Sequence, residues 1–277
     1  MGKRCTVLCL VLAMCGGNVL AVGFLGAPTA ELNKGQWSAG FDYSHSEQDL
    51  DKTNAKWSWY ADGVLDESGT TKIEVEDFTR DLYYGNIGYG VCDKCQVYVK
   101  LGVASVEEEI DPGEDVSYFE AGRVSVDFDD DFAWGWGTKI TVAKGERVAW
   151  GVALQMNWLD TSWSETGSDE VETWKETVDI EAYDLLVAVG PTVDMDGWQV
   201  YGGPFFYYLS GDADATHRTL ETTDVFWSGK ATGDLENDSS FGGYVGAQLD
   251  LAQEWNAAVE FSFIDGWGLG AGIVRRF

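Results

Sequence analysis

Cys92-Asp93-Lys94-Cys95 is the sharpest local motif in the chain. Two cysteines at this spacing can form a redox pair or supply half of a metal site. A zinc site would need further ligands, and His45 and His217 are the only histidines. The competing reading is a disulfide across a two-residue hairpin turn. Facing Cα atoms there lie about 5.5 Å apart, a span that suits a disulfide. An oxidising compartment favours the disulfide. A second cluster is Asp212, Asp214 and His217, close to His45 if both lie at strand ends on one side. A carboxylate can orient a histidine as general base. In a chain with 47 acidic residues, however, an Asp near a His is expected by chance. No calcium loop of the Asp-x-Asp-x-Asp-Gly type with a closing Glu occurs. No enzymatic activity, metal or cofactor is expected.

The elements that would hold these residues are strands. From Val148, every second residue is large and apolar: Val148, Trp150, Val152, Leu154, Met156 and Trp158. Ala149, Gly151, Ala153, Gln155 and Asn157 fall between them. A strand sends these two sets to opposite faces. The pattern recurs from Trp37, Tyr83, Val97, Trp134, Tyr183, Trp198, Val245, Val259 and Trp267. With the run from Val148 these make about ten strands. Eight or twelve are possible, because Trp57–Tyr60 and Lys72–Glu76 could form strands of their own. Most reach roughly the 9–11 residues that a tilted strand needs to cross a bilayer. Trp and Tyr sit near strand ends, where interfacial girdles belong. The fold class is therefore all-β: a transmembrane, antiparallel, up-and-down barrel.

Connections alternate in length. Short ones lie near Asp93-Lys94, Lys144-Gly145-Glu146, Asp194–Gly197 and Gln253–Asn256. Long ones run through Glu47–Thr71, Glu107–Val116, Thr161–Thr177 and Gly211–Asn237, and carry much of the acid. Short periplasmic turns and long external loops give this asymmetry. Pro191 and Pro204 fall inside or beside strands of a wall with no free edge, so bulges are expected there.

The start of the chain reads differently. Lys3 and Arg4 precede an apolar run, and Val19-Leu20-Ala21 offers a small-residue cleavage site. Residues 1–21 read as a secretory signal peptide, too short for a spanning helix. Leu12-Ala13-Met14-Cys15-Gly16 is a competing lipobox, with Met14 out of pattern. Residues 22–35 are then expected as a short periplasmic segment and residues 36–277 as the barrel. The formal charge of −29 excludes a nucleic-acid partner, since phosphate binding needs a positive surface. Thirteen Trp, 12 Tyr and 13 Phe exclude an acidic disordered chain.

The last residues, Gly268-Leu269-Gly270-Ala271-Gly272-Ile273-Val274-Arg275-Arg276-Phe277, resemble the final strand of bacterial outer-membrane barrel proteins, the OmpA-like and porin-like short barrels being nearest. In that superfamily a terminal aromatic residue after alternating apolar ones is the signal read by the barrel assembly machinery. Phe277, Ile273, Ala271 and Leu269 match it, and Arg275 departs from it at the membrane edge. The resemblance implies a place in the outer membrane, with membrane lipid and the assembly machinery as partners.

The strand faces assign an interior charge set: Asp42, Lys100, Lys139, Asp184, Asp250, Glu260 and Arg276. These are either pore lining or satisfied ion pairs in a closed interior. About ten strands leave little lumen, and Tyr84, Tyr98, Tyr201, Tyr207 and Tyr244 narrow it further, so a plugged or narrow lumen is favoured. The expected function is a structural or small-solute, cation-favouring, porin-like barrel. The alternative is a surface adhesion or interaction protein whose acidic external loops meet an unknown ligand, with a barrel hydrolase using His217 ranked below it.

Overall fold

The computed structural model describes residues 23–48, 53–73, 76–110, 124–127, 131–168, 171–222, 224–236, 240–264 and 266–277. The expected signal peptide, the lipobox at Cys15, and Asp129-Asp130 of the acidic loops lie outside them. The described strands are β1 (Trp37–Gln48), β2 (Thr53–Ala61), β3 (Val64–Ile73), β4 (Glu76–Cys92), β5 (Cys95–Ile110), β6 (Val124–Asp127) and β7 (Asp131–Lys144). There follow β8 (Val148–Ser168), β9 (Glu172–Asp194), β10 (Trp198–Thr222), β11 (Trp227–Glu236), β12 (Phe241–Ala252), β13 (Trp255–Phe263) and β14 (Gly266–Arg276).

Ten of these close a ring in the order β1-β4-β5-β7-β8-β9-β10-β12-β13-β14, every neighbour antiparallel. β14 returns to β1 from Ser38↔Arg276 to Gln48↔Gly266. β10 joins β12 from Trp198↔Leu249 to Phe206↔Phe241. Closure leaves no edge strand, so each strand of the ring has hydrogen-bonded neighbours on both sides. That is the condition for crossing hydrocarbon with strands.

The outward residues form the greasy face expected of a lipid-facing wall. Val97, Val99, Leu101 and Val103 of β5 are exposed, as are Trp134 and Trp136 of β7. Trp134 stacks on Trp158 of β8 with ring centroids 4.2 Å apart. Trp37, Tyr89, Trp150, Trp198 and Trp255 mark the end with the short turns. Tyr43, Tyr83, Trp158, Tyr183, Tyr208 and Trp267 mark the other end.

Three expectations change. First, much of the chain expected as loops at Thr161–Thr177 and Gly211–Asn237 is strand. β8, β9 and β10 have 21, 23 and 25 residues, about twice what the bilayer requires. Second, β2 and β3 do form, but outside the ring. Above Ser210, β10 leaves β12 and pairs with β11, which carries β2 and then β3. A six-stranded sheet, β8-β9-β10-β11-β2-β3, therefore extends beyond the ten-stranded ring on one side. Third, Pro191 and Pro204 create no bulge. The β9–β10 ladder lapses between Tyr201↔Thr192 and Phe205↔Ala188 and resumes in the same register. Gly190, Gly202 and Gly203 make this possible, because a Cβ at Gly190 or Gly203 would run into the opposite backbone.

Candidate functional site

The interior is occupied by the chain itself. Residues 23–34, expected in the periplasm, run up the lumen from the end with the short turns. Leu25, Ala27, Thr29 and Leu32 are buried there. Inward glycines make the room. A side chain at Gly151 would collide with the Pro28 carbonyl, and one at Gly90 with the Asn33 carbonyl. Gly270 and Gly272 lie against the Phe24 ring. At Gly26 the chain turns with φ of 72°, a conformation that costs an L residue strain.

A segment without regular structure must find partners for its backbone groups. Here the barrel's side chains supply them. Asp93 Oδ1 accepts from Lys34 N at 3.2 Å. Gln96 Oε1 accepts from Glu31 N and Leu32 N at 2.7 and 3.1 Å. Thr141 Oγ1 accepts from Ala30 N at 3.0 Å, and Thr29 and Thr192 share a hydroxyl hydrogen bond of 2.9 Å. Glu260 takes Leu25 N on one oxygen at 3.1 Å and Gly26 N on the other at 2.9 Å. Lys100 Nζ donates to the Phe24 carbonyl at 2.5 Å and lies 3.2 Å from Asp42. Asn86 Nδ2 donates to the other Asp42 oxygen at 2.8 Å.

Of the seven charges expected in the interior, Asp42, Lys100, Lys139, Asp184 and Glu260 are buried, and they do not form one lining. Asp42, Lys100 and Glu260 hold the segment or its holder. Lys139 lies beside Gly26 and the Tyr98 ring. Asp184 sits higher, accepting from Asn157 Nδ2 at 2.6 Å. Asp250 and Arg276 pair at the mouth, 3.5 Å apart. Arg80, a buried cation 3.9 Å from Asp184, was missed. Its inward position follows from alternation with Asp81, just before the stretch of β4 where the greasy alternation begins. Gln96, Thr141 and Thr192 were also missed, because an uncharged polar residue on a lumen face gives no sequence signal of its own.

The histidines do not meet. His217 faces inward on the external sheet, with Nδ1 2.8 Å from Glu176 Oε1, both buried. Trp59 packs edge-on against it at 5.3 Å. Asp212 and Asp214 lie on the opposite, outward face. His45 is outward on β1, 3.0 Å from Asp81, whose same oxygen also accepts from Tyr43 OH at 2.6 Å. The expected grouping of Asp212, Asp214, His217 and His45 is thus divided by strand alternation and by the width of the barrel.

Cys92 and Cys95 are register partners at the turn. Both are free in this structure. Among the described residues no group of three or more His, Cys, Asp and Glu converges on a point. In an oxidising compartment this pair is expected to oxidise, so that alkylation mass tags appear only after reduction. The closed loop is short, so its loss should cost at most about 2 kcal/mol in urea unfolding.

At the chain's end Arg275 pairs with Glu254 at 2.9 Å and lies over the Phe277 ring at 4.8 Å. Phe277 N donates to the Trp37 carbonyl at 2.8 Å, fixing the terminal residue to the first strand.

A family model for the outer membrane protein beta-barrel domain matches residues 115–268, more than half of the chain. The chain belongs to this family. An outer membrane beta-barrel protein has its place in the bacterial outer membrane, and in barrels of that membrane short turns are the periplasmic connections and longer extensions the external ones. Among solved structures, the outer membrane protease OmpT of Escherichia coli has a TM-score of 0.46 at 10% identity, over 87% of this chain and 97% of that one. The translocator domain of the autotransporter NalP from Neisseria meningitidis has 0.43 at 12%, over 89% and 90%. OprG of Pseudomonas aeruginosa has 0.42 at 10%, over 88% and 97%. No curated protein matches the sequence.

Proposed function

We propose that this outer membrane beta-barrel protein is a gated passage for small solutes, closed at rest by residues 23–34. The observation that carries this reading is the way the segment is held. The wall grips it through polar side chains on its backbone, and bonds of that kind exchange with water at small net cost. Ser38, Gln96, Lys100, Lys139, Thr141, Gln155, Thr192, Gln248 and Glu260 all face the lumen. Such a wall is wetted once the segment withdraws, whereas an apolar one would collapse or stay dry. The acid-rich exterior then favours cations by focusing the field at the outer mouth.

Gly151→Val tests the reading, because the three atoms nearest to an added Cβ all belong to Pro28 and Thr29 of the segment. In planar bilayers with a salt gradient, the wild-type barrel is expected to be silent or to open rarely. The variant is expected to show discrete, cation-selective steps. Stable open steps in the wild type equal to those of the variant would overturn the closed state. A silent variant whose segment has become protease-sensitive would overturn the passage.

A second reading is surface interaction through the external sheet. Asp160, Glu181 and Asp212 stand directly opposite one another across β8, β9 and β10, all exposed. Like charges so placed destabilise a sheet unless a partner offsets them. Neutralising Asp160, Glu181 and Asp212 together should abolish adhesion of expressing cells to a cationic surface and leave the steps of Gly151→Val unchanged.

A further inference from the structure

At the end with the short turns, residues 29–31 of the segment form one wall of a cavity of about 210 Å³. Thr192, Gln199 and Gln248 of the barrel line its other side. Gln199 and Gln248 are register partners on β10 and β12, so their side chains stand next to each other. Gln248 is only 7% exposed, and among the described residues no hydrogen bond reaches either carboxamide. Each carboxamide carries two donors and an oxygen with two lone pairs. Thr29 and Thr192 use only part of their capacity on each other, at 2.9 Å. Sheltered polar groups of this kind call for a partner.

The charges around the cavity select an uncharged ligand. Its lining has three cations, Lys144, Arg147 and Arg276, and three carboxylates, Glu31, Glu146 and Asp194. The set is neutral, so nothing draws an ion of either sign past the mouth. An ion between the carboxamides would give up hydration without a counter-charge of its own. Hydroxyl groups fit this wall. Each can donate to a glutamine or threonine oxygen and accept from a glutamine N–H. The volume is that of about seven waters at roughly 30 Å³ each, the scale of one sugar or polyol unit. No aromatic ring lines the cavity, so a sugar would be held by its edges alone. Such a hold is weak, as it must be for a solute that has to leave.

We infer that the barrel binds a single sugar or polyol unit between Thr29 of the closing segment and the carboxamides of Gln199 and Gln248. This deepens the reading of a gated passage and rests on residues 23–34 closing it. It names the class of solute, uncharged and polyhydroxylated. It also gives that solute a part in the gating. One wall of the site is the segment itself, so the site is complete only while the segment is in place. A ligand that binds one state and not the other stabilises the state it binds. Solute gathered at this mouth therefore holds the passage shut.

The test is hydrogen exchange at the Ala30 amide, which donates to Thr141 Oγ1 in the cavity wall, in the folded barrel in detergent. The probes are glucose and myo-inositol. At twice its half-saturating concentration either should slow this exchange about three-fold, the factor by which such a ligand shifts the equilibrium. Saturation-transfer NMR should show the probe's protons in contact with the barrel. Gln248→Leu should remove both effects. Should that variant fail to fold, Gln199→Leu, at a half-buried position, should do the same. Slowing that persists in the folded variant would be a general effect of the sugar on the solvent, and would sink the site. Binding of acetate or glycine betaine but of neither polyol would overturn the uncharged class. The solute-free barrel separates site from gate. If the Leu25, Gly26 and Ala30 amides are protected there and the polyols change nothing, the closing segment stands and the site falls. If those amides exchange freely, both fall.

Discussion

Glu260→Ala is expected to destabilise the barrel by about 3–5 kcal/mol, the range for removing one member of a buried charge set. Two losses combine. The carboxylate has both oxygens bonded to main-chain amides, so its removal leaves Leu25 N and Gly26 N buried and unpaired. It also takes away a counter-charge from Lys139 and Lys100. Glu260→Gln keeps the shape and one acceptor but turns an N–H toward an amide that also donates, so about 1–3 kcal/mol is expected. Thr141→Val removes a single neutral acceptor from Ala30 N and should cost about 1 kcal/mol. Urea unfolding followed by tryptophan fluorescence gives the order, and 13 tryptophans make the signal large. Equal effects for the three variants would mean that the segment is not held through Glu260. Amide exchange adds a second reading: in Glu260→Ala, Leu25 and Gly26 should lose protection while the amides of Glu31 and Leu32, held by Gln96, keep theirs.

The ring was legible because lipid imposes a single rule on every strand: large apolar residues at one parity, small or polar ones at the other. The external sheet was not, because the rule inverts outside the membrane. On β9, Tyr183, Leu185, Val187 and Val189 face lipid at odd positions. A few residues earlier, Val178, Ile180 and Ala182 are buried at even positions, and Asp179 and Glu181 are exposed. On β10, Phe206 and Tyr208 face lipid, while Leu209, Ala213 and Ala215 turn inward. A search for one greasy parity stops at the change and takes the residues beyond it for an acidic loop. The change of parity is itself the signal, marking where the wall leaves hydrocarbon for water. Ordinary alternation puts His217 on the opposite face from Asp212 and Asp214, since one number is odd and two are even. The lumen segment was hidden for another reason. Gly23 to Leu32 has no period and a proline, and its contacts are made by its backbone, which sequence does not display. Its trace lay in the wall, in glycines such as Gly90 and Gly151, whose inward faces by themselves signal only a narrow interior.

Leu101→Arg is the second large effect, and it tests the membrane assignment by a change of sign. Leu101 is 56% exposed, and its β5 neighbours Val99 and Val103 face the same way. It lies opposite Gly85 and Trp134, between the girdle at Tyr89, which pairs with Val97, and that at Tyr83, which pairs with Val103. That position is near the middle of the hydrocarbon, where an arginine on a barrel's lipid face costs about 2–4 kcal/mol. At Val97, level with the lower girdle, the same arginine can snorkel to the headgroups and should cost no more than about 1 kcal/mol. Arg275 already occupies such a place on β14, with Glu254 beside it. On a water-facing sheet the prediction reverses, because exchanging an exposed leucine for arginine would be nearly neutral at both positions. Unfolding free energies of the two variants, measured in lipid bilayers, decide between these solvents. A penalty at Leu101 several times that at Val97 is expected, and equal, small values would remove this face from the membrane.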